Sequence, residues 1–304
     1  MHMITLALII LLISYLSYRK AFYSSPKKRS TTQLLPDSPQ YAKANPVIKR
    51  LIGEMEKVPF EQVYITTFDG LRLAARYYHL SDSAPLQIQF HGYRSTAVRD
   101  FSGAFSLAQK MGRNLLVVDQ RAGGKSEGKT ICFGIKEKYD CLAWIQYAID
   151  RFGDIPIMLT GISMGAATVL MASELDLPEN VKCIVADCPY SSPEEIIALQ
   201  CKAMGIPPKL GMPFVKLGAR IFGNLKLSGE GAEKAVRNTR VPILLVHGEA
   251  DDFVPCEMSK RIYAANPEMI TFEIFPDTAH GISFINDTER YEKLYYNLFE
   301  KYGI

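Results

Sequence analysis

The period of hydrophobic and polar positions changes several times along the chain. Residues Met1 to Tyr18 carry no formal charge and are dominated by Ile and Leu, apolar on every face of a helix. Arg19 and Lys20 follow at once, then Lys27, Lys28 and Arg29. From about Tyr23 to Pro39 the composition turns to Ser, Thr, Pro and Lys, which predicts a linker. Val47, Ile48, Leu51, Ile52 and Met55 recur at helical spacing and predict a helix over 41–57. The pattern then drops to strand period. Residues 61–67 and 71–80 flank Asp69-Gly70, a hairpin signal, with His79 inside the second strand.

Short apolar runs then alternate with helical patterns. Strands are expected at 86–90, 115–118, 156–160, 181–186, 243–246 and 271–275. Helices are expected at about 99–111, 135–152, the stretch after Ser163, and 284–302. Such alternation predicts a mostly parallel central sheet flanked by helices on both faces. One segment breaks it. About fifty residues, 191–240, separate two strands, more than one crossover helix needs. Its apolar positions, broken by Pro207-Pro208 and glycines, predict an inserted helical cap of two or three short helices over the strand ends.

The domain expectation is therefore a transmembrane anchor at 1–20, a linker and N-terminal helix at 21–57, a core formed by 58–190 and 241–304, and a cap at 191–240. The basic flank follows the apolar run, and Ser17-Tyr18-Arg19 is a poor cleavage site, so an anchor is favoured over a cleaved signal peptide. Tyr15 and Tyr18 are expected at the membrane interface. The positive-inside bias places a single-pass protein of the cell membrane with its catalytic domain in the cytoplasm. The net charge of +3 is too small to argue for nucleic acid. Six cysteines without a Cys-x-x-Cys pair leave no metal spacing and read as buried free thiols. No metal and no cofactor are expected.

The chemistry centres on Gly161-Ile162-Ser163-Met164-Gly165, between an apolar strand and a small-residue helix. A serine on so sharp a strand-to-helix turn stands clear of the sheet, and the helix start points free N–H groups at an oxyanion beside it. Ser163 needs a base, and the base needs a carboxylate. In a parallel sheet such groups converge at the C-terminal strand ends. Of five histidines, His2 lies in the anchor and His79 in a strand, while His91 and His247 precede glycines at strand ends, where turn stabilisation is the commoner role. His280, in a loop after the last strand, is the expected base. Asp251 is favoured as its carboxylate, with Asp252 and Asp187 as alternatives. Backbone N–H groups of Met164 and Tyr93 are expected to form the oxyanion hole.

Together these residues resemble the α/β-hydrolase superfamily. The order Ser163, Asp251, His280 matches, as do His91-Gly92 and His247-Gly248-x-x-Asp251-x-x-Val254-Pro255. The turn from Asp119 to Gly128 is similar to the family's Asp-x-Arg-Gly-x-Gly-x-Ser-x-Gly loop, with Ala122 where glycine is usual. The resemblance covers about residues 60–304, and is to bacterial serine hydrolases with an inserted cap, a group of esterases, lysophospholipases and S9-like peptidases. It implies a serine hydrolase acting on small-molecule acyl esters or thioesters, lipid-like ones included, through an acyl-enzyme. A serine peptidase and a non-catalytic membrane-tethered binding protein are the alternative readings.

Overall fold

A computed structural model of the protein describes residues 2–29 and 38–302. Among the described residues, eight strands form one sheet in the order β1-β2-β4-β3-β5-β6-β7-β8. They are β1 (Glu61–Thr66), β2 (Arg72–Tyr78), β3 (Leu86–Phe90), β4 (Asn114–Asp119), β5 (Ile157–Ile162), β6 (Val181–Asp187), β7 (Ile243–Gly248) and β8 (Ile270–Phe275). The hairpin strands β1 and β2 run antiparallel, and β3 to β8 are parallel. All five residues of β3 are buried, as a strand covered on both faces requires.

The helices are α1 (His2–Ala21), α2 (Ala44–Met55), α3 (Ala97–Lys110), α4 (Glu137–Phe152), α5 (Met164–Ala172), α6 (Pro193–Ala203), α7 (Pro208–Gly223), α8 (Ala232–Ala235), α9 (Cys256–Ala265), α10 (Ser283–Asn286) and α11 (Thr288–Tyr302). Apolar residues of α4, α5, α8 and α9 cover one face of the sheet, around the buried Trp144. Those of α2, α3 and α11 cover the other. A further apolar cluster lies beyond the strand ends, where α1, α6 and α7 meet Phe133, Met164 and Tyr190.

From β3 the chain goes to β4 on one side, then crosses to β5 on the other. This reversal opens a crevice at the C-terminal ends of β3 and β5. Everything described below as the candidate site lies there.

Four local expectations are corrected. His79 follows the end of β2 rather than lying in it. The closing helix is split, with α10 and α11 separated by Asp287 at φ −145° and ψ 79°. Tyr18 is buried, bonding Thr130 Oγ1 at 2.7 Å and packing on Phe22, instead of standing at an interface. The expected linker begins as docked chain. Tyr23 bridges to Thr130, and Arg29 donates to the Ser126 and Gly128 carbonyls. The remainder of that stretch, 30–37, lies outside the described residues.

Helix α1 has the length and apolarity of a membrane span, which a signal sequence shares. Its last turns pack on α7 through close approaches: a Cβ on Gly218 would lie 2.2 Å from the Ser14 carbonyl oxygen. Tyr15 and Tyr18 set their rings against Phe222.

Candidate active site

Strand β5 delivers Ser163 at φ 56° and ψ −115°, a conformation uncommon for a side-chain-bearing residue. Its N–H bonds the Asp187 carbonyl at 2.8 Å, and its carbonyl receives the Ala167 N–H at 2.9 Å, so the strained residue is held from both sides. The turn is tight enough to demand glycine. A Cβ on Gly161 would lie 2.3 Å from the Gly165 carbonyl, and one on Gly165 1.7 Å from the Phe90 carbonyl oxygen.

His280 comes from the loop after β8. Its Nε2 stands 2.9 Å from Ser163 Oγ and its Nδ1 2.6 Å from Asp251 Oδ2. A carboxylate can only accept, so Nδ1 carries the proton of the neutral ring and Nε2 is left to accept the Ser163 hydroxyl. Asp251 itself is buried in the loop after β7. Its Oδ1 accepts the N–H groups of Phe253 and Val254 at 3.0 and 2.8 Å, and its Oδ2 lies 3.2 Å from His247 Nε2. Burial opposes ionisation of Asp251, but hydrogen bonds from His247 and His280 outweigh it and hold the carboxyl well below the usual carboxylate range.

The other two strand-end histidines are spent on turns. His247 Nδ1 meets Ser259 Oγ at 2.6 Å and Nε2 meets the Val254 carbonyl at 2.8 Å. His91 Nε2 accepts the Gln120 N–H at 3.1 Å, and Nδ1 donates to the Gly92 carbonyl at 2.8 Å.

Gly92 brings the loop after β3 close to the serine: a Cβ there would lie 3.3 Å from Ser163 Cβ. Its N–H donates to Asp100 Oδ2 at 2.7 Å, and Ser95 Oγ donates to Asp100 Oδ1 at 2.5 Å. Asp100, in the first turn of α3, thus orients the loop that presents the Tyr93 backbone. Sequence reasoning missed it. The only local signal is an acid in a first helical turn, which ordinarily reads as a response to the helix dipole. Glu137 was missed likewise. Buried, it accepts the Cys132 and Gly134 N–H groups at 2.7 and 2.9 Å and shapes the loop carrying Phe133. Met164 is the first residue of α5, where an N–H has no helical partner. Among the described residues, no hydrogen bond takes up the N–H of Met164 or Tyr93.

A model of the alpha/beta hydrolase fold family matches residues 90–211. An esterase of Pyrococcus furiosus superposes with a TM-score of 0.67 at 22% identity, over 90% of this chain and 98% of that one. The chain has the α/β-hydrolase fold. Its curated relatives include the uncharacterized protein YqkD of Bacillus subtilis, 24% identical across 60% of this chain and 61% of that protein. The lysophosphatidylserine lipase ABHD12 of Danio rerio is 24% identical across 60% of this chain and 47% of the relative. The chain thus spans about half to three fifths of the length of these relatives.

The loop from Asp119 to Gly128 holds Ala122 at φ 61°, at the position where the similar loop of α/β-hydrolases favours glycine. An alanine there carries ~1–2 kcal/mol of left-handed strain, offset by its N–H bond to the Glu127 carbonyl at 2.9 Å. Arg121 from the same loop is buried between Asp140 and Asp69, at 2.6 and 2.9 Å. The six cysteines are free, and five are buried. Cys188 Sγ lies within 4.8 Å of ligand atoms of Asp251 and His280, a metal-like convergence. Burial pushes its thiol far up, and Asp251 and His280 already bond each other, so the donor set does not suit a cation.

A cavity of about 610 Å³ opens beside Ser163, walled by Tyr93, Phe133, Tyr190 and Phe253 and by side chains of α1, α6 and α7. Its walls are almost wholly apolar, the character of a site for an apolar ligand.

Asp187 and Asp252 do not reach His280. Asp252 is exposed and Asp187 accepts Ser283 Oγ at 3.0 Å. Burial raises the Asp187 carboxyl to about 6. Between the usual carboxylate range and about pH 6 the folded state holds more protons than the unfolded chain. Stability contributed by this group therefore falls as pH rises through that window and stays low above it. Asp187→Asn is expected to stabilise the protein by ~1–3 kcal/mol at about pH 8, with little change at about pH 4. Urea unfolding at the two pH values reads this. An equal effect at both would remove the titration from the explanation.

Proposed function

We propose that the chain is a membrane-anchored serine hydrolase that cleaves carboxylic ester or thioester bonds of acyl substrates. The observation that carries this reading is the continuous relay from Ser163 Oγ through His280 to Asp251, at the floor of an apolar cavity. Ser163 attacks the carbonyl carbon while its proton passes to His280 Nε2. Asp251 holds the imidazole and stabilises the imidazolium, and the Met164 and Tyr93 N–H groups receive the oxyanion. The tetrahedral species collapses as His280 returns the proton to the leaving oxygen or sulfur. Water then repeats the sequence on the acyl-enzyme and releases the acid. The roles need no metal or cofactor.

Retention of α1 as an anchor is supported by its contribution to the body of the protein. Besides the Tyr18 contact, the Ala21 carbonyl accepts Tyr93 Oη at 2.8 Å, and the Lys20 carbonyl accepts Arg94 at 2.9 Å. Its removal would strip one wall from the cavity. The basic flank from Arg19 favours a cytoplasmic catalytic domain. A peptidase would want a free cation for a peptide terminus. Of the two candidates, Arg121 is consumed by two carboxylates and Arg94 is tied to the Lys20 and Tyr23 carbonyls, so nothing specific favours that reading.

The test is hydrolysis of p-nitrophenyl esters from acetate to palmitate by the full chain. Activity is expected to rise with chain length by roughly tenfold or more before levelling, since each buried CH₂ contributes ~0.8 kcal/mol. Absence of turnover on every ester, together with no labelling by a fluorophosphonate, would return the chain to the class of binding proteins.

A further inference from the structure

The cavity beside Ser163 has an unusual rim. Its exposed lining residues are Ile13, Leu16 and Lys20 from α1, Met204, Ile206 and Leu210 from the end of α6, the following turn and the start of α7, and Phe253 from the loop after β7. All but Lys20 are large apolar side chains facing outward. In water such a rim is unfavourable, and exposed patches of this kind mark surfaces that meet something apolar.

The position of the charges along α1 says what that is. Arg19 and Lys20 are the first charged side chains after the apolar run, and they place the membrane–water boundary at this end of the helix. Arg94, exposed and tied to the Lys20 and Tyr23 carbonyls, adds a third cation at the same level. At 1.5 Å per residue, Ser17 lies about 4 Å and Ile13 about 10 Å on the apolar side of Lys20. Ile13, Leu16 and Ser17 of the cavity wall thus lie within the leaflet, not above it.

Helix α7 extends the same surface. Its exposed Leu210, Leu217 and Ile221, with the partly exposed Phe214 between them, form one stripe. Lys209, Lys216 and Arg220 flank it, and Lys216 is paired with Glu194. An apolar stripe bordered by long cations is the composition of a helix seated in the headgroup–acyl boundary, where lysines and arginines reach back to the phosphates.

We propose that the cavity opens between α1 and the α6–α7 turn directly into the acyl region of the leaflet. Its substrate is a single-chain ester lipid that enters sideways from the membrane, acyl chain first, without crossing water. The volume suits one ligand of that size, one chain rather than two. This inference rests on the hydrolase reading above and adds the substrate class and its route.

The test uses the full chain reconstituted in phosphatidylcholine vesicles that carry a monoacylglycerol with an eighteen-carbon chain. Total ester is kept constant while vesicle lipid is raised about tenfold, which dilutes the ester only within the membrane. With the ester below saturation, the rate is expected to fall in near proportion, because the local concentration in the leaflet sets occupancy. A rate that follows total ester regardless of dilution overturns the proposal. In the same vesicles, Leu217→Glu with Ile221→Glu, two residues outside the cavity wall, is expected to cut lipid hydrolysis by ~10-fold or more through lost seating. Hydrolysis of soluble p-nitrophenyl butyrate is expected to change less than about twofold, since the site is untouched. Equal losses on both substrates, with fluorophosphonate labelling intact, count against lateral entry. A wild-type chain that neither labels nor turns over the soluble ester defeats the hydrolase reading instead.

Discussion

Ser163→Ala is expected to lower kcat on a p-nitrophenyl ester by ~10⁴–10⁶-fold while leaving the fold intact. The alanine removes the Oγ that stands 2.9 Å from His280 and leaves a small gap at the cavity floor. His280→Ala is expected to cost a similar factor, and the double variant little more, because neither group acts without the other. Asp251→Asn is the sharper probe. An amide can no longer accept from every donor converging on it. Two backbone N–H groups, His247 and His280 all point at this one carboxylate. The ring of His280 then loses the partner that fixes its tautomer, and a loss of ~10³–10⁴ in kcat is expected. The equivalent change at Asp252, which is exposed, is expected to stay within about twofold. Steady-state kinetics beside a burst titration of active sites separates chemistry from folding. Comparable losses at Asp251 and Asp252 would dissolve the assigned relay.

Gly165→Ala is expected to be among the most damaging substitutions outside those residues. The new Cβ would lie 1.7 Å from the Phe90 carbonyl oxygen, 2.4 Å from its carbon and 2.8 Å from the His91 carbonyl oxygen. All three are backbone atoms, and Phe90 belongs to a strand hydrogen-bonded on both sides, so no rotamer change relieves the contact. Helix α5 must move off β3, at ~4 kcal/mol or more of stability. The same displacement pulls Met164 away from Tyr93, so residual folded protein is expected to be nearly inactive. Gly53→Ala is the matched control. It lies in α2 with nothing within 4 Å of the added Cβ. It is expected to be neutral or stabilising by up to ~1 kcal/mol. Urea titration of both variants gives the comparison, and a Gly165→Ala midpoint near wild type would mean the turn is far looser than its geometry.

Several features were legible because their causes are local. Glycines at 161 and 165 around a serine announce a turn too tight for side chains. The change from helical to strand period at residue 61 follows from which face each element must bury. The uncharged run ending at Arg19 is a property of composition. His280 was singled out by elimination, since each of His91 and His247 stands directly before a glycine at a strand end, and both are hydrogen-bonded into their own turns.

Other features have no local cause. Asp187, Asp251 and Asp252 all stand at or just beyond strand ends and look alike in one dimension. Their separation comes from the turn after Gly248, which directs Asp251 inward against two histidines, whereas Asp187 meets Ser283 from α10. Asp100 and Glu137 read as ordinary first-turn acids. Only burial beside loops with unpaired N–H groups gives them their partners. Tyr18 looked like an interfacial tyrosine until α7, about two hundred residues away, offered Gly218 and Gly223 as a seat for its ring. Periodicity, turn chemistry and charge order are written in neighbouring residues, so the chain alone determined the strands, the serine turn and the apolar helix. Which side chains meet at the crevice, and that α1 walls the cavity, depended on long-range packing, because contacts across the sheet order β4-β3-β5 leave no trace in sequence spacing.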